Sequence, residues 1–286
     1  MSVSGQGRLV LVGTPIGNLG DISPRAVEAL RAADVIACED TRRTRALLSH
    51  LGLPAGHRLI AVHDHNEAGK VAGVLARLDR GELVAVATDA GMPGISDPGE
   101  RLVAAVAAAG HIVETVPGPS AVLAALVVSG LPTARFCFEG FLPRKGRARA
   151  GRLAELAAEP RTTVIFEAPH RVHDLVVDLA GAVGGLRRVA LARELTKLHE
   201  EVWRGTLAAA ADHLSAGEPR GEYVVVLDGA PPPEPAGEAD VEAALRDRLQ
   251  AGTDKRAAVA GVAAALGVPK RMVYDAALRL SESPEG

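Results

Sequence analysis

The stretch Leu83-Val84-Ala85-Val86-Ala87-Thr88-Asp89-Ala90-Gly91-Met92-Pro93-Gly94-Ile95-Ser96-Asp97-Pro98-Gly99 decides the fold class. Its first five residues are an uninterrupted apolar run, which predicts a strand buried on both faces. A helix-like run, Glu100 to Ala109, follows it. Between them lies a Gly- and Pro-rich loop carrying Asp89 and Asp97. A loop at the carboxyl end of a strand is where open α/β sheets bind ligands. No Lys follows the glycines, so this is not the usual phosphate cradle. It suits a flat organic ligand pressed against backbone, with carboxylates near hydroxyls or a cation. Pro117-Gly118-Pro119-Ser120-Ala121 is a second loop of this kind, and two such loops point to a cofactor held mainly by backbone.

Working outward, strands are predicted at Arg8 to Val12, Asp34 to Cys38, Arg58 to Val62 and Ile112 to Val116, beside Leu83 to Ala87. Helices alternate with them: Ser23-Pro24 starts one through Ala32, and Thr41 to Leu51, Glu67 to Leu78 and Glu100 to Ala109 complete the set. This order predicts a mostly parallel sheet with helices on both faces. Ala121 to Val128 reads as a buried helix. Beyond it, strands are expected at Phe136 to Phe141, Thr162 to Phe166, Arg188 to Ala192, Glu201 to Arg204 and Tyr223 to Leu227, with helices before and after the second of these. The run from Arg188 through Leu227 leaves little room for helix, which favours a mixed, partly antiparallel sheet. A Pro-rich linker from Ala230 precedes helices at Ala239 to Leu249, Lys255 to Leu266 and Pro269 to Leu280. The expected domains are 1–117, 118–229 and a helical extension, 230–286.

The extension has helix-turn-helix spacing, with Gly267 at the bend and Val273 buried in the second helix. Lys255, Arg256, Lys270 and Arg271 would then contact nucleic acid; a helical hairpin that merely closes the fold has the same spacing.

Hydrophobic content of 48% is ample for a core, and a net charge of −3 carries no global nucleic-acid signature. Aromatics at 2% argue against an aromatic stacking platform. Cys38 and Cys137 form no CxxC pair, there is no signal-like or membrane-spanning run, and a cytoplasmic location is expected.

Several further clusters sit where sites form. Gly13-Thr-Pro-Ile-Gly-Asn-Leu-Gly20 lacks GxGxxG spacing; it is either a structural turn or a cleft-lining loop. Glu39-Asp40 precedes a helix carrying Arg42, Arg43 and Arg45, with Asp40 a candidate cap and the arginines suited to phosphate oxygens. His63-Asp64-His65-Asn66-Glu67 ends the third strand. His63 and His65 would alternate on it without a third ligand, so acid–base or substrate contact is preferred to metal, and Asp64 or Asn66 would cap the next helix. Phe141-Leu-Pro-Arg144-Lys145-Gly-Arg147-Ala-Arg149 is the densest basic patch. Glu167-Ala-Pro-His-Arg171 and Ala192-Arg-Glu-Leu-Thr-Lys197 close two more strands.

Taken together and in this order, from about Leu9 to Leu227, these motifs resemble the tetrapyrrole-methylase fold family (class III methyltransferases). Within it they resemble the branch that methylates small-subunit ribosomal RNA on a cytidine ribose. The resemblance implies a two-domain α/β fold with a parallel-sheet N-terminal domain and a mixed-sheet C-terminal one. It implies S-adenosylmethionine as cofactor and a homodimer acting on 16S rRNA in the decoding region of the small ribosomal subunit, with no metal and no membrane. It carries cofactor contacts onto Asp89, Gly91, Pro93, Ile95, Ser96, Ser120 and Ala121, with Ala168 and the Gly221-Glu222-Tyr223 edge closing over the adenine. RNA contact falls to Arg42, Arg43, Arg45, Arg144, Lys145 and Arg147. Lys145 or Arg42/Arg43 would favour a developing alkoxide, and Glu39, His63 or Glu67 would accept the proton. A methyltransferase for a tetrapyrrole or other small molecule, and a non-enzymatic RNA-binding protein, are the alternatives.

Overall fold

The computed structural model describes residues 6–63, 65–232 and 236–282. The expectation placed on Asp64, and the middle of the Pro-rich linker, lie outside the described residues.

Five strands, β1 (Arg8–Val12), β2 (Val35–Cys38), β3 (Leu59–Ala61), β4 (Leu83–Ala87) and β5 (Ile112–Val116), form an all-parallel sheet in the order β3-β2-β4-β1-β5. Alternate side chains serve opposite faces. Val10, Val12, Ile36, Ala85 and Ala87 pack with Ala26 and Leu30 of α1 (Pro24–Ala32) and Leu48 of α2 (Thr41–His50). Leu9, Ala37, Val84 and Val86 pack with Val74 and Leu78 of α3 (Glu67–Asp79) and Leu102 and Val106 of α4 (Glu100–Ala108). Covering both faces is what the Leu83–Ala87 run requires. After β1 the chain leaves over the α1 face, and after β4 over the α4 face. The loops following these neighbouring strands therefore diverge and open a crevice at their carboxyl ends.

The second sheet runs β6-β7-β10-β8-β9, from β6 (Phe136–Phe141), β7 (Thr162–Glu167), β8 (Arg188–Arg193), β9 (Glu201–Thr206) and β10 (Tyr223–Leu227). β6 and β7 are parallel and the other pairs antiparallel. α5 (Ala121–Val128) covers one face; α6 (Gly146–Ala158), α7 (Pro169–Val183) and α8 (Leu207–Ser215) lie on the other. α8 corrects the expectation of little helix between Arg188 and Leu227. Its start is set by Thr206, whose hydroxyl accepts from the Ala209 N–H at 3.3 Å, and its Ala-rich sequence has good helix propensity. β7, β8 and β9 also run past the predicted ends, through Glu167, Arg193 and Thr206, because ladder pairing continues after the apolar run stops.

Both sheets belong to one compact unit, Met1–Ala230; Pro231–Gly286 is a second. In the second, α9 (Glu238–Gln250), α10 (Lys255–Leu266) and α11 (Lys270–Glu282) enclose a small core that includes Val262, Ala263 and Val273. Gly267 caps α10 in the left-handed conformation at φ 64°, as the spacing required.

Candidate active site

The crevice above β1 and β4 is assembled by glycine. A Cβ on Gly13 would lie 2.6 Å from the Gly118 Cα, and one on Gly118 2.8 Å from the Gly13 Cα, so the loops after β1 and β5 touch backbone to backbone. The loops after β1 and β4 are stitched by a bridge: Thr14 N–H donates to the Gly91 carbonyl at 2.9 Å and Gly91 N–H to the Thr14 carbonyl at 3.1 Å. Gly91 holds φ 89° and Ser96 holds φ 59°, a region that costs a non-glycine residue free energy and clusters at binding sites. Gly140, in the irregular register of β6 and at φ 61°, would carry a Cβ 3.0 Å from the Ser96 hydroxyl oxygen. The second sheet is thereby brought against the Asp89–Gly99 loop.

Between the two sheets these loops leave a cavity of about 430 Å³. Asp89 stands on its wall with both carboxylate oxygens engaged. Oδ1 accepts the Asp40 N–H at 3.2 Å, and Oδ2 accepts from Arg43 Nη1 at 3.1 Å. Asp40 caps α2 by accepting the Arg42 N–H at 2.8 Å, and the Arg42 guanidinium folds back onto the same carboxylate at 2.6 Å. Arg42 thereby holds the Asp40 carboxyl at about 2. Ser120 caps α5 on the opposite wall, its hydroxyl accepting the Leu123 N–H at 3.4 Å.

The remaining wall comes from the second sheet. Phe166 packs edge-on against Phe138 and Phe141, with centroids 5.0 and 5.8 Å apart, and Phe141 and Phe166 both line the cavity. Three of the chain's four phenylalanines thus meet at one site. Low overall aromatic content said nothing about their placement. Tyr223 is buried beside them, and burial pushes its hydroxyl pKa up. Glu167, fully buried, also lines the cavity; its Oε1 accepts the Ala168 N–H at 2.9 Å and its Oε2 lies 3.2 Å from Arg171 Nη2. A second hollow of about 390 Å³ adjoins the first and shares Ile16, Arg43, Asp89, Ala90 and Glu222 with it.

Of the residues singled out from sequence, the structure brings Glu39, Arg43, Asp89, Gly91, Ile95, Ser96, Ser120, Ala121, Ala168 and Tyr223 to one cavity. Pro93 is not on its wall: it is buried within the loop, and its neighbour Met92 faces the cavity instead. Glu67 is a correction. Its buried carboxylate oxygen Oε1 accepts from the N–H groups of Gly99 at 3.1 Å and Leu102 at 2.8 Å, capping α4 where Gly99 offers no side chain. His63 is another: β3 stops at Ala61, so His63 and His65 do not alternate on a strand. The His63 ring is exposed and meets Asn66 Nδ2 at 2.9 Å. Asn66 does not cap α3; its amide oxygen accepts the His63 N–H at 2.9 Å. Arg45, Arg144, Lys145 and Arg147 are exposed and off the cavity wall, as is Arg42. Arg149, on α6, donates to Asp178 at 2.7 Å and to the Pro143 carbonyl at 3.0 Å. Among the described residues no group of three or more His, Cys, Asp or Glu is arranged to hold a metal, and no helix is long and apolar enough to cross a membrane.

This two-sheet fold with a backbone-built cleft defines a class: the chain belongs to the tetrapyrrole (corrin/porphyrin) methylases, matching that family over residues 8–211. Solved structures share the fold: the methyltransferase CobJ at TM-score 0.59 and 21% identity, covering 79% of this chain and 95% of that one. Uroporphyrin-III C-methyl transferase from Thermus thermophilus, complexed with S-adenosyl homocysteine, aligns at TM-score 0.55 and 20% identity, covering 78% and 97%. Within the family, the chain groups with proteins named ribosomal RNA small subunit methyltransferase I. It is 48% identical to the one from Mycobacterium tuberculosis over 274 residues, 96% of this chain and 95% of that protein. It is 45% identical to the one from Synechocystis sp. over 276 residues, 96% and 98% of the two chains. The chain is a methyltransferase of this group.

Proposed function

We propose that the chain transfers a methyl group from S-adenosylmethionine to the 2′-oxygen of a cytidine ribose in the decoding region of 16S rRNA, acting on the small ribosomal subunit as a cytoplasmic homodimer. The single observation that carries this reading is the pairing of the two hollows: one suited to the cofactor adjoins a second, more polar one, with Asp89 and Arg43 lining both. The names of the relatives favour ribosomal RNA over a tetrapyrrole as acceptor.

The cavity fits the cofactor. Its carboxylates, Glu39, Asp89, Asp97, Glu167 and Glu222, suit a cationic ligand, and Ile95, Phe166 and Tyr223 give apolar surface for a purine. Gly91, Ser96, Ser120, Ala121 and Ala168 supply the backbone and small-side-chain surface around it. When bound, S-adenosylmethionine supplies an electrophilic methyl group, so the protein's task is to align the acceptor oxygen and exclude water. Of the original acid–base candidates Glu39 keeps that place, since it lines the cavity while Glu67 caps a helix and His63 faces solvent. Arg42, Arg43 and Arg45 at the start of α2, and Arg144, Lys145 and Arg147 at the start of α6, are assigned to RNA phosphates. Lys145 belongs to that surface and not to the reacting centre. The target ribose must be presented unstacked from folded RNA.

Labelled S-adenosylmethionine incubated with purified small subunits lacking the modification should give label in the RNA, at a rate well above that on short RNA fragments and on a corrin or porphyrin acceptor. Preferential labelling of the porphyrin would replace this reading with the small-molecule one.

A further inference from the structure

Lys197, the last residue of the Ala192–Lys197 motif, lines the second hollow. The chain leaves β8 at Arg193 and turns sharply, with Glu194 at φ 51° and Thr196 at φ 66°. Two non-glycine residues in the left-handed region within one turn persist only where surrounding contacts fix them. Here they do. Glu194 N–H donates to the Glu222 carbonyl at 3.0 Å, and the Glu194 carboxylate accepts the Glu222 N–H at 2.9 Å. The same carboxylate oxygen accepts from Lys197 Nζ at 2.8 Å, and Glu222 Oε2 lies 3.2 Å from that nitrogen.

Gly17 completes the arrangement from the other sheet. A Cβ there would lie 2.5 Å from Lys197 Cγ and 2.7 Å from the Thr196 hydroxyl oxygen, so the first loop makes room for the lysine stem. The ammonium is thus delivered to the second hollow, which also holds Arg43 and Asp89 at its junction with the cofactor cavity. Burial opposes its charge, but the hydrogen bonds to Glu194 and Glu222 outweigh burial and raise its pKa above the ordinary lysine value. It is a fixed cation and not a base. An ammonium has three N–H donors, and two are directed at these carboxylates.

We propose that Lys197 donates its third N–H to the acceptor oxygen in the second hollow, orienting that hydroxyl and stabilising the negative charge it gains as its proton leaves. This rests on the reading of that hollow as the ribose subsite. The acceptor oxygen forms the new O–C bond as the C–S bond breaks and its electron pair returns to sulfur. The hydroxyl proton passes to Glu39 on the wall of the adjoining cavity, and from there to water. A preorganised donor aimed at developing charge is worth more in an enclosed site than in water.

The test uses the full-length protein, Lys197→Met and Lys197→Arg, with three readouts: thermal midpoint, affinity for S-adenosylhomocysteine, and single-turnover methyl transfer to saturating small subunits. Lys197→Met should slow transfer by about 10²-fold with cofactor affinity within about twofold of wild type, and Lys197→Arg should recover at least about tenfold by restoring a donor. The proposal is overturned if Lys197→Met transfers within about threefold of wild type, or if its rate falls only in step with stability or cofactor affinity, as a mere tie for the turn would require. It is equally overturned if a folded Lys197→Arg is no faster than Lys197→Met. A wild-type protein that transfers nothing to subunits overturns the ribose reading itself, and that result is seen separately in the control.

Discussion

Glu67 shows how a single carboxylate takes its role from what it reaches. It follows His63 and Asn66 in sequence, yet its oxygen accepts two N–H groups more than thirty residues away, at the start of α4. Because α4 begins at Gly99 without a side-chain cap, removing this acceptor strands two buried donors. Glu67→Ala should therefore lower stability by about 2–3 kcal/mol in denaturant unfolding, with cofactor-saturated turnover of the folded fraction retained; lost turnover at unchanged stability would return Glu67 to the chemistry. Gly118→Ala should drive the Gly13 and Gly118 loops apart, because the new Cβ would lie 2.8 Å from Gly13 Cα. Calorimetry should show cofactor affinity falling at least about tenfold, about 1.4 kcal/mol. The Asp40 carboxyl, held at about 2 by Arg42, gives a pH test with a definite sign. A depressed folded pKa contributes stability above the unfolded value of 3.8, lost as pH falls toward 2. The difference in thermal midpoint between wild type and Asp40→Ala should be constant above about pH 5 and shrink progressively below 3.8. At this scale the sequence showed Asp40 as a cap, since capping is local, and Asp89 as a loop carboxylate. The reach of Glu67 and the Glu194–Lys197–Glu222 cluster join distant segments, and no spacing rule exposes them.

Among the elements, α5 is the one whose sequence and surroundings disagree. The sequence of Ala121 to Val128, apolar all round, predicts a buried helix, and its limits are fixed by Ser120 and the Ser129-Gly130 stop. The helix buries Val122, Ala125 and Leu126 on the second sheet, but Leu123 is 52% and Val127 69% exposed. An outward apolar face on a helix beside the cofactor cavity fits the proposed homodimer. Leu123→Asp with Val127→Asp should turn a dimer into a monomer in sedimentation equilibrium at micromolar concentration; an unchanged mass would place the interface elsewhere. α8 is hidden in the sequence for a different reason. Its alanines carry helix propensity but no strong apolar stripe, and it lies between two strand-forming runs.

For the whole molecule, alternation of apolar runs with capped helices was enough to foresee a parallel sheet followed by a mixed one. Which loops would meet was not legible, because that depends on strand order: β4 lies between β2 and β1, and this sets the loops after β1 and β4 side by side. The three-helix unit after Ala230 repeats the lesson. Gly267 and Val273 occupy their expected places, and Lys255, Arg256, Lys270 and Tyr274 line one hollow of that unit. RNA contact and packing alone are the two readings of this unit, and charge removal separates them. Replacing Lys255, Arg256, Lys270 and Arg271 with alanine in the full chain should weaken binding to small subunits and flatten its salt dependence, with cofactor affinity unchanged. An unaltered salt slope would make the unit a packing element only.

The most direct test of the account is to map the methyl group. After transfer from labelled S-adenosylmethionine to unmodified small subunits, nuclease digestion and mass spectrometry of the 16S rRNA should place the label on the ribose of one cytidine in the decoding region. Label on a base, on another nucleotide, or absent from RNA while the cofactor still binds, would contradict it.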